Sequence, residues 1–167
     1  DALNRLEGTP FEAQARLALL AIYERSRDWS HAASIAQKMH AADQGDFSTR
    51  QAHYLCEQAL ALSVQGDRAG AKALLEQAIA AAPDAARARI ELARLQQLMG
   101  QPDAVLATLQ TLGERAPAAL PLAAPLLVEA GNATGRQAEV HARLVAHYEQ
   151  SPSLDVLESI VAMEAAI

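Results

Sequence analysis

Three residues with reactive side chains lie close together in the stretch 52–67, AHYLCEQALALSVQGD. His53 precedes Cys56 by three residues and Glu57 by four, so a helix would place all three on one face. Such a face could hold a metal ion, or pair a thiol nucleophile with a base. However, His53 and Cys56 supply only two of the three or four protein ligands that a zinc site needs, and the flanking Leu and Ala residues provide neither an oxyanion site nor an orienting group. We therefore predict no catalytic site and no metal or other cofactor in this chain.

The composition indicates an all-α protein. Half of the 167 residues are hydrophobic (51%), most of them Ala and Leu, and only 4% are aromatic. Small and unbranched apolar residues favour helices that pack closely. The net charge is −6 and the basic residues are dispersed, which argues against nucleic-acid binding.

The single cysteine and the short apolar runs bear on location. One cysteine cannot form an internal disulfide, so a reducing compartment, the cytoplasm, is expected. The longest apolar stretch, at 118–128, contains two prolines and is well short of the ~20 residues of a membrane helix. The chain begins at Asp1 without a signal peptide, and we expect it to be a piece of a longer protein.

A repeat of 34 residues organises the chain. Gly100 follows Gly66 by 34 residues, and Pro117 follows Pro83 by the same interval, within two similar segments. This is the period of the tetratricopeptide repeat, in which two antiparallel helices are joined by a tight turn. Small residues at the eighth and twentieth positions agree with that motif: Ala59 and Ala71 in the copy that starts at Ala52, and Ala93 and Val105 in the copy that starts at Ala86.

The repeat predicts an all-α, right-handed solenoid of antiparallel helix pairs in one domain over 1–167. The copies are expected at about 13–46, 52–85, 86–119 and 120–152, with 1–10 and 153–167 belonging to partial copies. Helices are predicted at 13–26, 30–43, 50–65, 68–81, 85–99, 102–114, 120–131 and 137–150, with a longer turn at 131–136.

The first helix of each repeat is expected to line a groove for a protein partner, through its second, fifth, ninth and twelfth residues. The groove residues predicted by this count are Gln14, Leu17, Ala21, Glu24, His53, Cys56, Leu60, Arg87, Ile90, Arg94 and Gln97. His53 and Arg87 should be neighbours, and the arginines suit a partner with an acidic group beside an apolar anchor. Three alternatives stay open: a packed Cys56, which we favour, a merely solvated His53, and a solvated arginine pair.

One family resemblance goes beyond the repeat itself. The segments AIYERSRDWSHAASIAQKM (21–39) and AHYLCEQALAL (52–62), followed by two regular repeats, resemble the cytoplasmic repeat domain of the lipopolysaccharide assembly protein B family of Gram-negative bacteria. The more specific residues are Tyr23, the Asp28-Trp29 pair and the cluster around His53. The likeness covers nearly the whole chain.

The resemblance implies an adaptor rather than an enzyme. It implies two protein partners, the lipid A deacetylase and a membrane-bound ATP-dependent (AAA+) metalloprotease, and a role in regulating lipopolysaccharide synthesis and assembly. It also implies a cytoplasmic domain that is anchored to the inner membrane in the full-length protein, and zinc only in a carboxyl-terminal rubredoxin-like module that is absent here. Pairing with a second copy is possible, and the alternative function is a chaperone-docking or general peptide-binding repeat domain.

Overall fold

The computed structural model describes residues 3–6 and 8–165, and this part of the chain is helical, with no strand. The helices are α1 (Glu12–Ser26), α2 (Trp29–Ala41), α3 (Ser48–Val64), α4 (Arg68–Ala81), α5 (Ala86–Leu98), α6 (Pro102–Arg115), α7 (Leu120–Thr134), α8 (Gln137–Gln150) and α9 (Leu154–Ala165). Short 3₁₀ turns lie at Leu3–Leu6 and Pro117–Ala119. The predicted all-α class and the eight helices predicted between residues 13 and 150 are confirmed, with ends shifted by up to three residues, and α9 occupies the segment assigned to a further partial copy.

The partial copy predicted at residues 1–10 forms no α-helix among the described residues. Residues Leu3–Leu6 form a 3₁₀ turn instead. Residues 1, 2 and 7 of the predicted partial copy lie outside the described part of the chain. Gly8 has a φ of +77°, and Pro10 follows two residues later. A left-handed residue and a proline this close together prevent a helix from continuing into α1.

The chain forms two compact units, Asp1–Ala85 and Ala86–Ile167. In the first unit, α1 packs on α2, α2 on α3, and α3 on α4. Ala59 and Ala71, the small residues of the repeat motif, are 1% and 0% exposed, as expected where two helices approach closely. The core of this unit also contains Leu20, Met39 and Leu75.

The second unit has its own hydrophobic core, in which the motif residues Ala93 and Val105 are fully buried. Here α5 packs on α6, α6 on α7, α7 on α8, and α9 on both α7 and α8. The largest buried side chains of the core are Leu109, Leu112, Leu127 and Leu144.

Local turn chemistry explains where the helices begin and end. Gly66 and Gly100 have φ angles of +90° and +68°, in the left-handed region that glycine enters at least cost. The Asp67 carboxylate then accepts a hydrogen bond from the Gly70 amide at 2.9 Å, which caps the start of α4. Pro102 occupies the first turn of α6, where its lack of an amide hydrogen costs nothing.

The long turn predicted at 131–136 is wrong. Helix α7 continues to Thr134, and Gly135, with a φ of +71°, ends it. Gly131 is a packing residue, because a Cβ at this position would lie 2.8 Å from Cγ2 of Val140. Pro125 lies inside α7, and because proline has no amide hydrogen, one backbone hydrogen bond of this helix is missing.

Candidate functional site

The predicted groove residues lie on α1 and α3 in the first unit and on α5 in the second. On α1, Gln14, Leu17 and Ala21 are exposed. On α3, His53 and Leu60 are exposed. On α5, Arg94 is exposed, whereas Arg87 and Gln97 are half-buried. These eight side chains are open to a partner, and whether they contact one stays a prediction.

Two of the predicted groove residues are not on an exposed surface. Cys56 is 1% exposed and Ile90 is 6% exposed, and both occupy the fifth position of their repeats. The sixth-position residues, Glu57 and Glu91, are half-buried instead. On α3 and α5 the fifth-position residues are therefore turned towards the core, whereas those at the second and ninth positions are accessible. The interpretation of Cys56 as a packed small side chain is confirmed.

Glu24, the remaining predicted residue, belongs to a polar cluster that joins α1 to α3. The hydroxyl of Tyr54 donates a hydrogen bond to Oε1 of Glu24. Nη2 of Arg50 donates to the same oxygen at 2.7 Å, and its Nε donates to the Tyr54 hydroxyl at 3.2 Å. Sequence reasoning missed Arg50 and Tyr54, which have no signature spacing from Glu24.

This cluster shifts the pKa values of its members. Partial burial raises the pKa of Glu24, but the hydrogen bonds from Tyr54 and Arg50 together outweigh burial and hold it below its ordinary value. Burial, with a second contribution from the hydrogen bond to Glu24, raises the pKa of Tyr54 to about 12. The cluster thus contains a carboxylate, a guanidinium and a neutral phenol at neutral pH.

Aromatic rings cover the other side of Tyr54. The Trp29 ring is stacked on Tyr54 with a centroid distance of 6.1 Å and an interplanar angle of 14°, and His53 meets Trp29 edge-on at 6.0 Å. Tyr23 and His31 stack at 5.0 Å. Asp28 caps α2 by accepting a hydrogen bond from the His31 amide at 3.3 Å. The residues that carry the family resemblance thus serve packing and capping within the first unit.

On α5 the predicted arginine surface is partly neutralised. Nη1 of Arg94 lies 3.0 Å from Oε1 of Glu91, one turn earlier on the same helix. Gln97 reaches towards α7 and donates a hydrogen bond from Nε2 to Oε2 of Glu129 at 2.7 Å. Arg94 therefore presents an ion pair to solvent, whereas Gln97, a neutral amide, adds no positive charge beside Glu129.

A groove between α7 and α9 was not predicted from the sequence. It has a volume of about 550 Å³. Its lining consists of apolar or small residues and three carboxylates: Pro121, Leu122, Pro125, Val128, Ser159, Ala162, Glu129, Asp155 and Glu158. The repeat count starting at Leu120 finds part of this face, because Pro121 and Val128, at its second and ninth positions, line the groove, whereas Ala124, at its fifth position, is fully buried.

The described residues do not bring together a reactive set of side chains. Residues 3–6 and 8–165 contain no group of three or more His, Cys, Asp or Glu that could hold a metal ion. His31 and His141 lie beside single carboxylates, Asp28 at 2.7 Å and Glu164 at 3.1 Å. None of the helices in this part of the chain has the length and hydrophobicity that crossing a membrane requires.

Comparisons with known proteins agree with the helix pairs and the 34-residue period. Residues 65–130 match a family model described as tetratricopeptide repeat. MamA MSR-1 C2 superposes with a TM-score of 0.52 at 18% identity, over 93% of this chain and 87% of that one. YrrB, described as a TPR protein with an unusual peptide-binding site, superposes with a TM-score of 0.57 at 16% identity, over 99% of this chain and 84% of that one. No curated protein matches the chain.

The fold is a tetratricopeptide-repeat fold. In the predicted repeat register α1, α3, α5, α7 and α9 are the first helices of their repeats, and in that register both the Glu24 cluster and the groove between α7 and α9 lie on first helices. Repeats of this kind are typically non-enzymatic modules for protein–protein interaction. None of the comparisons names a relative in lipopolysaccharide assembly.

Proposed function

We propose that this chain is a non-enzymatic scaffold that binds protein partners through the exposed faces of its first helices. One observation carries the proposal: in the second unit, first helices α7 and α9 form a groove with both apolar and charged lining. Protein-binding surfaces combine an apolar centre with polar groups that set orientation. The proposal requires no cofactor or metal bound to this chain.

The scaffold's biological role is proposed from the sequence resemblance. Tyr23, the Asp28-Trp29 pair and the cluster around His53 support an adaptor in the regulation of lipopolysaccharide synthesis and assembly. In that role the chain links the lipid A deacetylase to a membrane-bound ATP-dependent protease, at the cytoplasmic face of the inner membrane. The printed description of YrrB, a repeat protein with a peptide-binding site, supports the general part of this proposal.

The role is tested by direct binding between the purified chain and the purified lipid A deacetylase, measured by biolayer interferometry. The informative variant is Arg94→Glu, on the exposed face of α5. If an acidic group of the partner is desolvated against Arg94, charge reversal costs about 1–3 kcal/mol of binding free energy. The dissociation constant should then rise by roughly fivefold to 150-fold.

The matched control is Arg136→Glu in the same unit. Arg136 lies 3.0 Å from Asp103, as Arg94 lies from Glu91, and the two arginine side chains are 48% and 54% exposed. Both variants lose one ion pair and change the net charge equally, but Arg136 stands just before α8. Equal losses of affinity in the two variants would show that the deacetylase does not contact the exposed face of α5. If the chain did not bind the deacetylase measurably, the adaptor role would be contradicted.

A further inference from the structure

The groove between α7 and α9 carries charge of one sign. Glu129 on α7 and Asp155 and Glu158 on α9 line it. Neither α7 nor α9 contains a Lys or Arg residue. Among the described residues, Glu129 accepts its hydrogen bond from the neutral amide of Gln97, and no basic side chain forms an ion pair with the other two carboxylates. The lining is therefore electronegative without internal compensation.

The apolar part of the groove includes side chains that are exposed to solvent. Leu122 is 66% exposed, and Pro125 is also exposed, one turn further along α7. Apolar side chains that stand beside uncompensated carboxylates favour a ligand with an apolar group and a positive charge close together. A ligand that offers only a carboxylate would be repelled, which argues against a site for a chain-terminal carboxylate here.

We propose that the groove between α7 and α9 binds a protein segment in which lysine or arginine residues flank an apolar anchor. The anchor packs on Leu122 and Pro125, and the basic side chains lie against Glu129, Asp155 and Glu158. This assignment rests on the proposed scaffold function and names the class of partner for the second unit. It differs from the acidic partner predicted for the arginines of α5.

A selection of random peptides displayed on phage tests the assignment. The intact chain is the bait, and each round is depleted on the Glu158→Lys variant, so that peptides bound elsewhere are removed. Glu158 suits this purpose because it is exposed and lines the groove. The surviving peptides should be enriched in Lys and Arg within one or two residues of Leu, Ile, Phe or Trp.

Affinity measurements on one enriched peptide, synthesised with a fluorophore, locate the site. Glu158→Lys should weaken binding by about tenfold or more, whereas Glu149→Lys, an equal charge change at an exposed position of α8 outside the groove, should change it by less than about twofold. Leu122→Ala should also weaken binding. Its control is Leu98→Ala, a leucine of the same unit that is 64% exposed and does not line the groove.

The outcomes test the basic-segment assignment separately from the scaffold function. Enrichment of acidic peptides that depend on Glu158 would overturn the basic-segment assignment and leave the scaffold function standing. Equal weakening by Glu158→Lys and Glu149→Lys would show attraction to the net charge of −6 alone, and would also overturn the assignment. Failure to enrich any peptide would overturn the assignment and leave the scaffold function standing, because depletion on Glu158→Lys also removes peptides that bind at other faces of the chain.

Discussion

Tyr54 allows a quantitative test of the cluster that joins α1 to α3. Its side chain is 1% exposed, and its hydroxyl donates to the Glu24 carboxylate. Burial, and secondly this hydrogen bond, raise its pKa from 10.0 to about 12. Two pKa units correspond to about 2–3 kcal/mol of differential free energy between the neutral and ionised phenol.

The sign of the pH dependence follows from this shift. Above pH 10 the unfolded chain releases the Tyr54 proton, whereas the folded chain holds it until about pH 12. The ionisation of Tyr54 should therefore leave the free energy of unfolding unchanged below pH 10 and lower it by about 2–3 kcal/mol between pH 10 and pH 12. The stabilisation is lost as the pH rises through the folded pKa.

The perturbation is Tyr54→Phe, which removes the hydroxyl and keeps the ring on Trp29. At pH 8 the variant should be about 1–3 kcal/mol less stable, since it loses a hydrogen bond to a charged group. This deficit should shrink by about 2–3 kcal/mol as the pH approaches 12, because the variant has no proton to lose at this position. If only the packing of the ring mattered, the stability difference between the wild type and Tyr54→Phe would not change with pH.

Two measurements test the prediction. Urea unfolding followed by circular dichroism gives the stability difference at each pH, and the ultraviolet absorbance of phenolate reports tyrosine ionisation in the folded chain. The phenolate absorbance of the wild type should contain an ionisation step near pH 12. This step should be absent from Tyr54→Phe and present in Tyr148→Phe, a control in the second unit. Glu24→Gln should move that step to lower pH without restoring the ordinary value, because burial is the larger cause. A Tyr54 step at pH 10, or a stability difference that is constant with pH, would refute the reasoning.

Three further predictions concern single residues. Because Cys56 is buried, a thiol reagent should label it more slowly in the folded chain than in urea by several orders of magnitude, and labelling at equal rates would contradict its packed position. Gly131→Ala should cost about 1–3 kcal/mol in urea unfolding, since its Cβ would lie 2.8 Å from Cγ2 of Val140, and an unchanged stability would show that α8 can move away. Arg27 has a φ of +56°, so Arg27→Gly should stabilise the chain by about 0.5–1 kcal/mol, whereas the same change at Arg25 inside α1 should destabilise it by a similar amount. Thermal shifts of the same sign in both variants would be the contrary result.

The sequence by itself determined the helices and most of their ends. The 34-residue period gave the pairing of helices, and Gly66, Gly100, Asp67 and Pro102 marked the turns, because φ preference, amide capping and proline chemistry act within a few residues of the chain. Even Arg27, at a position where glycine is usual, has the left-handed backbone that the repeat requires. The same locality explains why the small motif residues could be assigned to close helix contacts in advance.

Tertiary structure alone decided which faces of those helices are open and which side chains meet. The phase count put Cys56 and Ile90 in the groove, but both side chains are buried, because packing against neighbouring helices decides how much of a helix face is covered. Glu24 and Tyr54 are 30 residues apart in sequence, and no local rule pairs them. The groove between α7 and α9 likewise arises where two helices pack at a distance, and its negative charge follows from residues that the repeat motif leaves unspecified.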